Sequence, residues 1–141
     1  MEVSVSKRLN CYYERLLAVS RDGDWTGWCI FFLTALTEQA RANQKKAKEV
    51  HALYEEKKDW IVAQTRSQYA VQALDWFFKQ PIFRTPNFVR SVEIPKATAE
   101  RILRLTRDGG MLKEIRPGSG RRAAILAFPE LLNIAEGREL F

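Results

Sequence analysis

Between Ile94 and Ala124 the order of residue types, IPKATAERILRLTRDGGMLKEIRPGSGRRAA, leaves the chain few choices. Pro95 suits the first turn of a helix, because its missing N–H and fixed φ cost nothing there. Ala99, Ile102, Leu103 and Thr106 then recur on one face at helical spacing. Gly109-Gly110 predicts the end of the helix, since glycine accepts the left-handed conformation that a C-cap wants. Met111 to Ile115 reads as a strand, Pro117-Gly118-Ser119-Gly120 as a turn, and Ala123 to Phe128 as a returning strand. Helix, glycine stop, strand, basic turn, strand is the second half of a winged helix-turn-helix.

The first half lies just upstream. Tyr69 to Lys79 carries Ala70, Ala73, Leu74, Phe77 and Phe78 at three- and four-residue spacings, a core-facing stripe. Pro81-Ile82-Phe83 reads as a short extended link. Thr85 is placed to cap a short helix with Pro86 at its first position and Phe88, Val89 and Val92 turned inward. Val92-Glu93 then makes the tight connection of the motif. The fold predicted for the chain is mainly α: a helical segment over residues 1–64, then a winged helix-turn-helix over 65–141 with a two- or three-stranded wing. On this reading residues 96–108 form the recognition helix. In helix-turn-helix proteins the first residues of that helix meet base edges in the major groove. Here they are Lys96, Ala97, Thr98 and Arg101, with Arg84 and Arg104 reaching phosphates, Arg121 and Arg122 on the wing, and Thr85 also assigned to the DNA-binding set.

Charge points the same way once it is located. The formal net charge is +6. From Arg84 to Arg122 there are ten Lys and Arg against four acids, an excess of six, so the rest of the chain sums to zero. Backbone phosphates of double-stranded DNA are the natural partner of such a patch, through a strongly salt-dependent attraction.

The N-terminal part is helical too. Leu9, Tyr12, Tyr13, Leu16 and Leu17 make one stripe, preceded by eight residues without periodicity that are expected to fray. Asp22 or Asp24 caps the next helix, over 25–43. Trp25, Trp28, Cys29, Phe32, Leu36 and Ala40 form its main stripe, yet Ile30, Phe31 and Leu33 cover other faces. A helix apolar all round is normally buried on every side. Trp28, Ile30, Phe31 and Leu33 are therefore assigned to an interface beyond the chain's own core, with a second copy as a homodimer or with another domain; residues 25–42 would carry it. A third helix, 44–64, turns Val50, Leu53, Tyr54, Trp60 and Ile61 inward, and a short last helix starts at Pro129 and stops at Gly137.

Other classes of function find no support. The cysteines, Cys11 and Cys29, are too few for a disulfide framework and have no metal-ligand company; they read as reduced residues of a cytoplasmic protein, Cys29 buried. One histidine, His51, supplies no cluster for a metal. No secretory leader opens the chain, and the longest apolar run, Trp28 to Leu33, cannot span a bilayer. No nucleophile–base pair, paired carboxylates or glycine-rich phosphate loop occurs, so the chain is expected not to be an enzyme and to need no cofactor.

One block is more specific. Tyr12-Tyr13-Glu14-Arg15-Leu16-Leu17-Ala18-Val19-Ser20-Arg21-Asp22-Gly23-Asp24-Trp25, then Trp28, Phe31-Phe32-Leu33 and Glu38-Gln39-Ala40, resembles the C-terminal part of bacterial Fic family proteins. With the charged helix and winged helix that follow in longer members, the resemblance extends over roughly residues 11–128, the winged-helix part being generic. The family transfers AMP from ATP to hydroxyl side chains of proteins, using a loop of the pattern His-Pro-Phe-x-x-(Gly/Asn)-Asn-Gly-Arg. That loop is missing here: His51 is followed by Ala52-Leu53, and no Gly-Asn-Gly-Arg occurs. The family's inhibitory motif is missing as well, since Leu132 stands where a Ser or Thr would precede Glu136-Gly137. The resemblance thus implies the C-terminal portion of a Fic-like protein without its catalytic residues, in which the apolar helix would close the core of a catalytic domain. Two readings follow: a DNA-binding, transcription-regulatory module, or a protein-interaction module that dimerises or orients targets of a Fic-type enzyme. Leu105, off the core stripe of the recognition helix, and Glu100 speak for the second.

Overall fold

The polar break at Ser20–Asp24 folds on its own hydrogen bonds. In the computed structural model, which describes the backbone of residues 2–140 and the side chains of residues 9–140, Gly23 takes a φ of +68° and its N–H reaches Val19 O at 3.1 Å. This closes helix α1 (Glu2–Asp22). Asp24 Oδ1 accepts the Gly27 N–H at 2.9 Å, satisfying one of the free donors that open helix α2 (Trp25–Thr65). Asp22, the other candidate cap, is held by Arg21 at 2.7 Å instead.

Two boundaries differ from the sequence reading. Residues 2–8, expected to fray, are part of α1, and Met1 lies outside the described residues. The helices expected over 25–43 and 44–64 are one helix of 41 residues. Nothing between Ala40 and Lys48 interrupts a helix: the segment has no Gly or Pro and is mostly Ala, Lys, Arg and Gln, all good helix formers.

The chain forms two compact units, Met1–Lys45 and Lys46–Phe141. The division falls well before residue 64 because the second half of α2 belongs to the winged helix: Leu53 and Ile61 are buried in its core. In the first unit, the Tyr12 ring meets Trp28 edge-on at 5.4 Å and Trp28 lies 6.1 Å from Phe31. None of residues 9–45 is buried. Cys29, expected inside, is therefore exposed, and both cysteines are free thiols.

The second unit continues from α2 with α3 (Ala70–Lys79), β1 (Ile82–Arg84), α4 (Thr85–Ser91), α5 (Lys96–Asp108), β2 (Lys113–Arg116), β3 (Ile125–Ala127) and α6 (Pro129–Glu136). The strands form one antiparallel sheet in the order β1-β3-β2, with Arg84 and Arg116 both opposite Ile125. This is a winged helix-turn-helix in a mainly α chain. The Pro81–Phe83 link is strand β1 for most of its length, so the wing sheet has three strands. Met111 and Leu112 are not in a strand: both are buried in the bend that leads to β2.

Aromatic packing holds the helices to the sheet. Phe77 stacks on Phe83 at 5.6 Å and on Phe88 at 4.9 Å, and Trp76 meets Phe83 edge-on at 4.8 Å. Two buried threonines are satisfied within their own helices, Thr65 by Ile61 O at 2.7 Å and Thr106 by Ile102 O at 2.9 Å. Tyr54 donates to Asp75 at 2.7 Å, and Lys57 bonds Glu130 of α6 at 2.9 Å. Between α4 and α5, Glu93 holds a φ of +53°, kept there by its buried neighbours Val92 and Ile94 and by Gln72, which donates to Val92 O at 2.6 Å. At the end of α5, Gly110 supplies the left-handed turn with a φ of +81°.

Candidate nucleic-acid interface

Pro95 O accepts the N–H groups of Thr98 and Ala99, each at 2.9 Å, so α5 starts at Lys96 and Pro95 is its cap residue, one position before the first turn in which the sequence placed it. Its buried face is Ala99, Ile102, Leu103 and Thr106. The exposed side presents Lys96, Ala97, Arg101 and Arg104, with Thr98 half-buried at its flank. Not all of these are free to meet a ligand. Lys96 lies 3.9 Å from Glu100. Arg101 donates from its guanidinium to Thr65 O at 2.8 Å, which ties it to the last turn of α2.

Thr85 does not cap α4. The cap position is Arg84, in extended conformation, and Thr85 is the first helical residue. Its N–H and its hydroxyl both donate to Ala124 O, at 3.2 and 3.4 Å, so Thr85 fastens the start of α4 to the return of the wing. The wing turn is equally fixed. Ser119 and Arg122 exchange backbone hydrogen bonds at 3.0 and 2.9 Å around Gly120, whose φ is +56°. A Cβ on Gly118 would come within 3.3 Å of Ala124 N, so a larger residue there would need the return of the wing to shift by a few tenths of an ångström.

The fold brings Arg84, Arg121 and Arg122 together in a cleft of about 440 Å³ between α4 and the wing. Two arginines not assigned from the sequence join them, Arg90 from the last turn of α4 and Arg116 from the end of β2. Helical spacing could have indicated Arg90, which lies four residues after Pro86 and so on the same face of α4. Arg116 depends on strand pairing and has no such signal. Pro86 and Arg90 also line a neighbouring depression with Thr85, Val89, Lys96 and Glu100, so the cleft continues to the start of α5.

In the first unit, the residues assigned to an interface separate. Trp28 and Phe31 are half-buried, Trp28 between Tyr12 and Phe31, whereas Ile30 and Leu33 are exposed to 62% and 58%. Trp25, Phe32 and Leu36 are exposed as well. Among the described residues no group of three or more His, Cys, Asp or Glu is placed to hold a metal ion. No described helix is long and apolar enough to cross a membrane. No protein-family model matches the chain.

Proposed function

We propose that this chain is a DNA-binding module, with a transcription-regulatory role, that reads duplex DNA through its winged helix. The observation that carries the reading is the arginine cleft, which joins the wing to the start of α5. A recognition helix flanked by phosphate-binding groups is the arrangement in which base contacts specify and backbone contacts position. Lys96, Ala97 and Thr98 would face base edges, and Arg84, Arg104, Arg121 and Arg122 the phosphates. Arg101, engaged with Thr65 O, would serve the interface only by leaving that carbonyl.

Fluorescence anisotropy of a random-sequence duplex, titrated with salt, tests this. Binding in the micromolar range at low salt with a steep log–log loss is expected; absence of binding at low salt overturns it. A protein-docking role is then the second reading, favoured by exposed Glu100 on α5; Leu105, half-buried, presents only part of its side chain there.

For the first unit we propose a second copy as partner. Ten large apolar side chains between Leu9 and Leu36 are each 40–65% exposed. At roughly 150–250 Å² per large side chain, that is on the order of 1,000 Å², comparable with the ~800 Å² each partner buries in a standard interface. The Fic-like origin of this unit stands on the Tyr12–Ala40 resemblance alone, and the reading of the chain as non-catalytic on the missing loop. A cytoplasmic location fits its two free thiols.

A further inference from the structure

The arginine cleft has a charge problem that the rest of the unit does not solve. Between residues 84 and 122 there are four acids, and all four are used or placed elsewhere. Glu100 faces Lys96 at 3.9 Å, Asp108 faces Arg107 at 3.4 Å, and Glu114 lies 4.0 Å from Arg107. Glu93 lines a different depression with Gln72 and Asp75. No acidic side chain lines the arginine part of the cleft; Glu100 lies in the neighbouring depression, where it faces Lys96. Among the described residues, none of Arg84, Arg90, Arg116, Arg121 and Arg122 forms an ion pair. Five guanidinium groups around about 440 Å³ repel one another and contribute nothing to the core.

The cleft is nonetheless built rather than incidental. Its two walls are fixed to each other by Thr85 on Ala124 O and by the Arg84–Ile125 pairing of β1 with β3. Arg121 and Arg122 project from a turn locked by two backbone hydrogen bonds. Rigid backbone under repelling side chains is pre-organisation for a ligand of opposite charge, because the geometry is set before binding. Guanidinium forks match phosphate oxygens two at a time, and several forks around one space suit more than one phosphate.

We propose that this cleft is a phosphate clamp that grips two adjacent phosphates, and that Arg90 and Arg116 are part of it. Adjacent phosphates occur along one strand of a DNA backbone and in free oligophosphates. The clamp on DNA rests on the DNA-binding reading above; the affinity for paired phosphates does not.

The test compares the wild type with Arg90→Gln/Arg116→Gln, and with Lys48→Gln/Arg138→Gln, which removes the same charge from exposed sites outside the cleft. Inorganic tripolyphosphate binding is followed by calorimetry and by the rise in melting temperature, and duplex DNA binding by anisotropy against salt. Because the cleft arginines are exposed, unpaired and mutually repelling, the Arg90→Gln/Arg116→Gln protein should melt at or above the wild-type temperature, which separates lost binding from lost folding. Tripolyphosphate should stabilise the wild type, and orthophosphate should do so far less. Arg90→Gln/Arg116→Gln should lose tripolyphosphate binding by roughly tenfold or more, and its DNA salt slope should fall by about two, one per phosphate contact removed. The Lys48→Gln/Arg138→Gln protein should keep both. If DNA binds with the same slope in all three proteins and tripolyphosphate does not bind, the clamp is wrong while the DNA reading stands. If tripolyphosphate binds through the cleft and DNA does not bind at all, the DNA reading is wrong, and a free oligophosphate is the ligand. If neither binds, the clamp falls as well.

Discussion

Gly109 offers a test of how the second unit holds α5. It follows the last residue of the helix with a φ of −79°, a conformation open to any residue. Its reason for being glycine is therefore space. A Cβ placed there would sit 2.4 Å from Cζ2 and 2.7 Å from Cη2 of Trp60, the α2 side chain packed over the end of α5. Carbon atoms prefer about 3.5–4.0 Å, so the indole would have to retreat by about 1 Å or more. Overpacking of this kind costs about 1–3 kcal/mol. Against it, Gly109→Ala removes freedom from the unfolded chain, worth about 0.4–1 kcal/mol. The net expectation is a loss of about 1–2 kcal/mol, and for a unit of this size about 4–8 °C of melting temperature per kcal/mol.

Thermal unfolding followed by circular dichroism measures the shift. The decisive comparison repeats Gly109→Ala in a Trp60→Leu background. With the indole gone its clash is gone, leaving a 3.0 Å approach to Leu105 O and the unfolded-state effect to offset each other. The same substitution should then become neutral or slightly stabilising, a coupling of roughly 1–2 kcal/mol between two residues in contact. An equal loss in both backgrounds would refute the steric argument and with it the role given to Trp60.

Two further outcomes follow from contacts in each unit. Burial opposes the charge of Lys57, but its hydrogen bonds to Glu130 and Glu56 outweigh that and raise its pKa above the ordinary lysine value. A raised cation contributes stability below its unfolded pKa and loses it as pH rises through the folded one. Lys57→Met should therefore cost on the order of 1 kcal/mol in urea unfolding at pH 7, discounted for the exposed Glu130, and progressively less above about pH 10.5; a cost independent of pH would disprove the ion-pair account. In the first unit, sedimentation should find a dimer at tens of micromolar, by the order of a weak specific interface, and a monomer for Ile30→Glu/Leu33→Glu. A wild type that stays monomeric throughout would exclude the second copy.

How much the residues alone disclose depends on whether one chain segment decides the outcome. The faces of α3 and α5 follow from spacing alone, because Ala73, Leu74 and Phe77, or Ala99, Ile102 and Thr106, are buried by the same periodicity that makes them legible. The stop at Gly110 and the cap at Asp24 are local for the same reason. Trp76 was not legible: it lies off the α3 stripe and is buried only because Phe83 of β1 and Phe88 of α4 fold against it. Cys29 is exposed although it lies on an apolar stripe, because such a stripe implies burial only when something covers it, and none of residues 9–45 is buried. Arg101 shows the limit most clearly. By position it belongs with Lys96 and Ala97 at the exposed start of α5. But α2 ends at Thr65, with Arg66 turned to a φ of +45°, and leaves a last-turn carbonyl with no helical donor. A polar group next to a fully buried residue needs a partner, and the guanidinium of Arg101 is the donor that reaches it at 2.8 Å. The same exposed basic residue can thus be taken from the interface by a carbonyl 36 residues away. For the cleft arginines no such competing acceptor exists among the described residues. For that reason they, more than the start of α5, bear the weight of the phosphate argument.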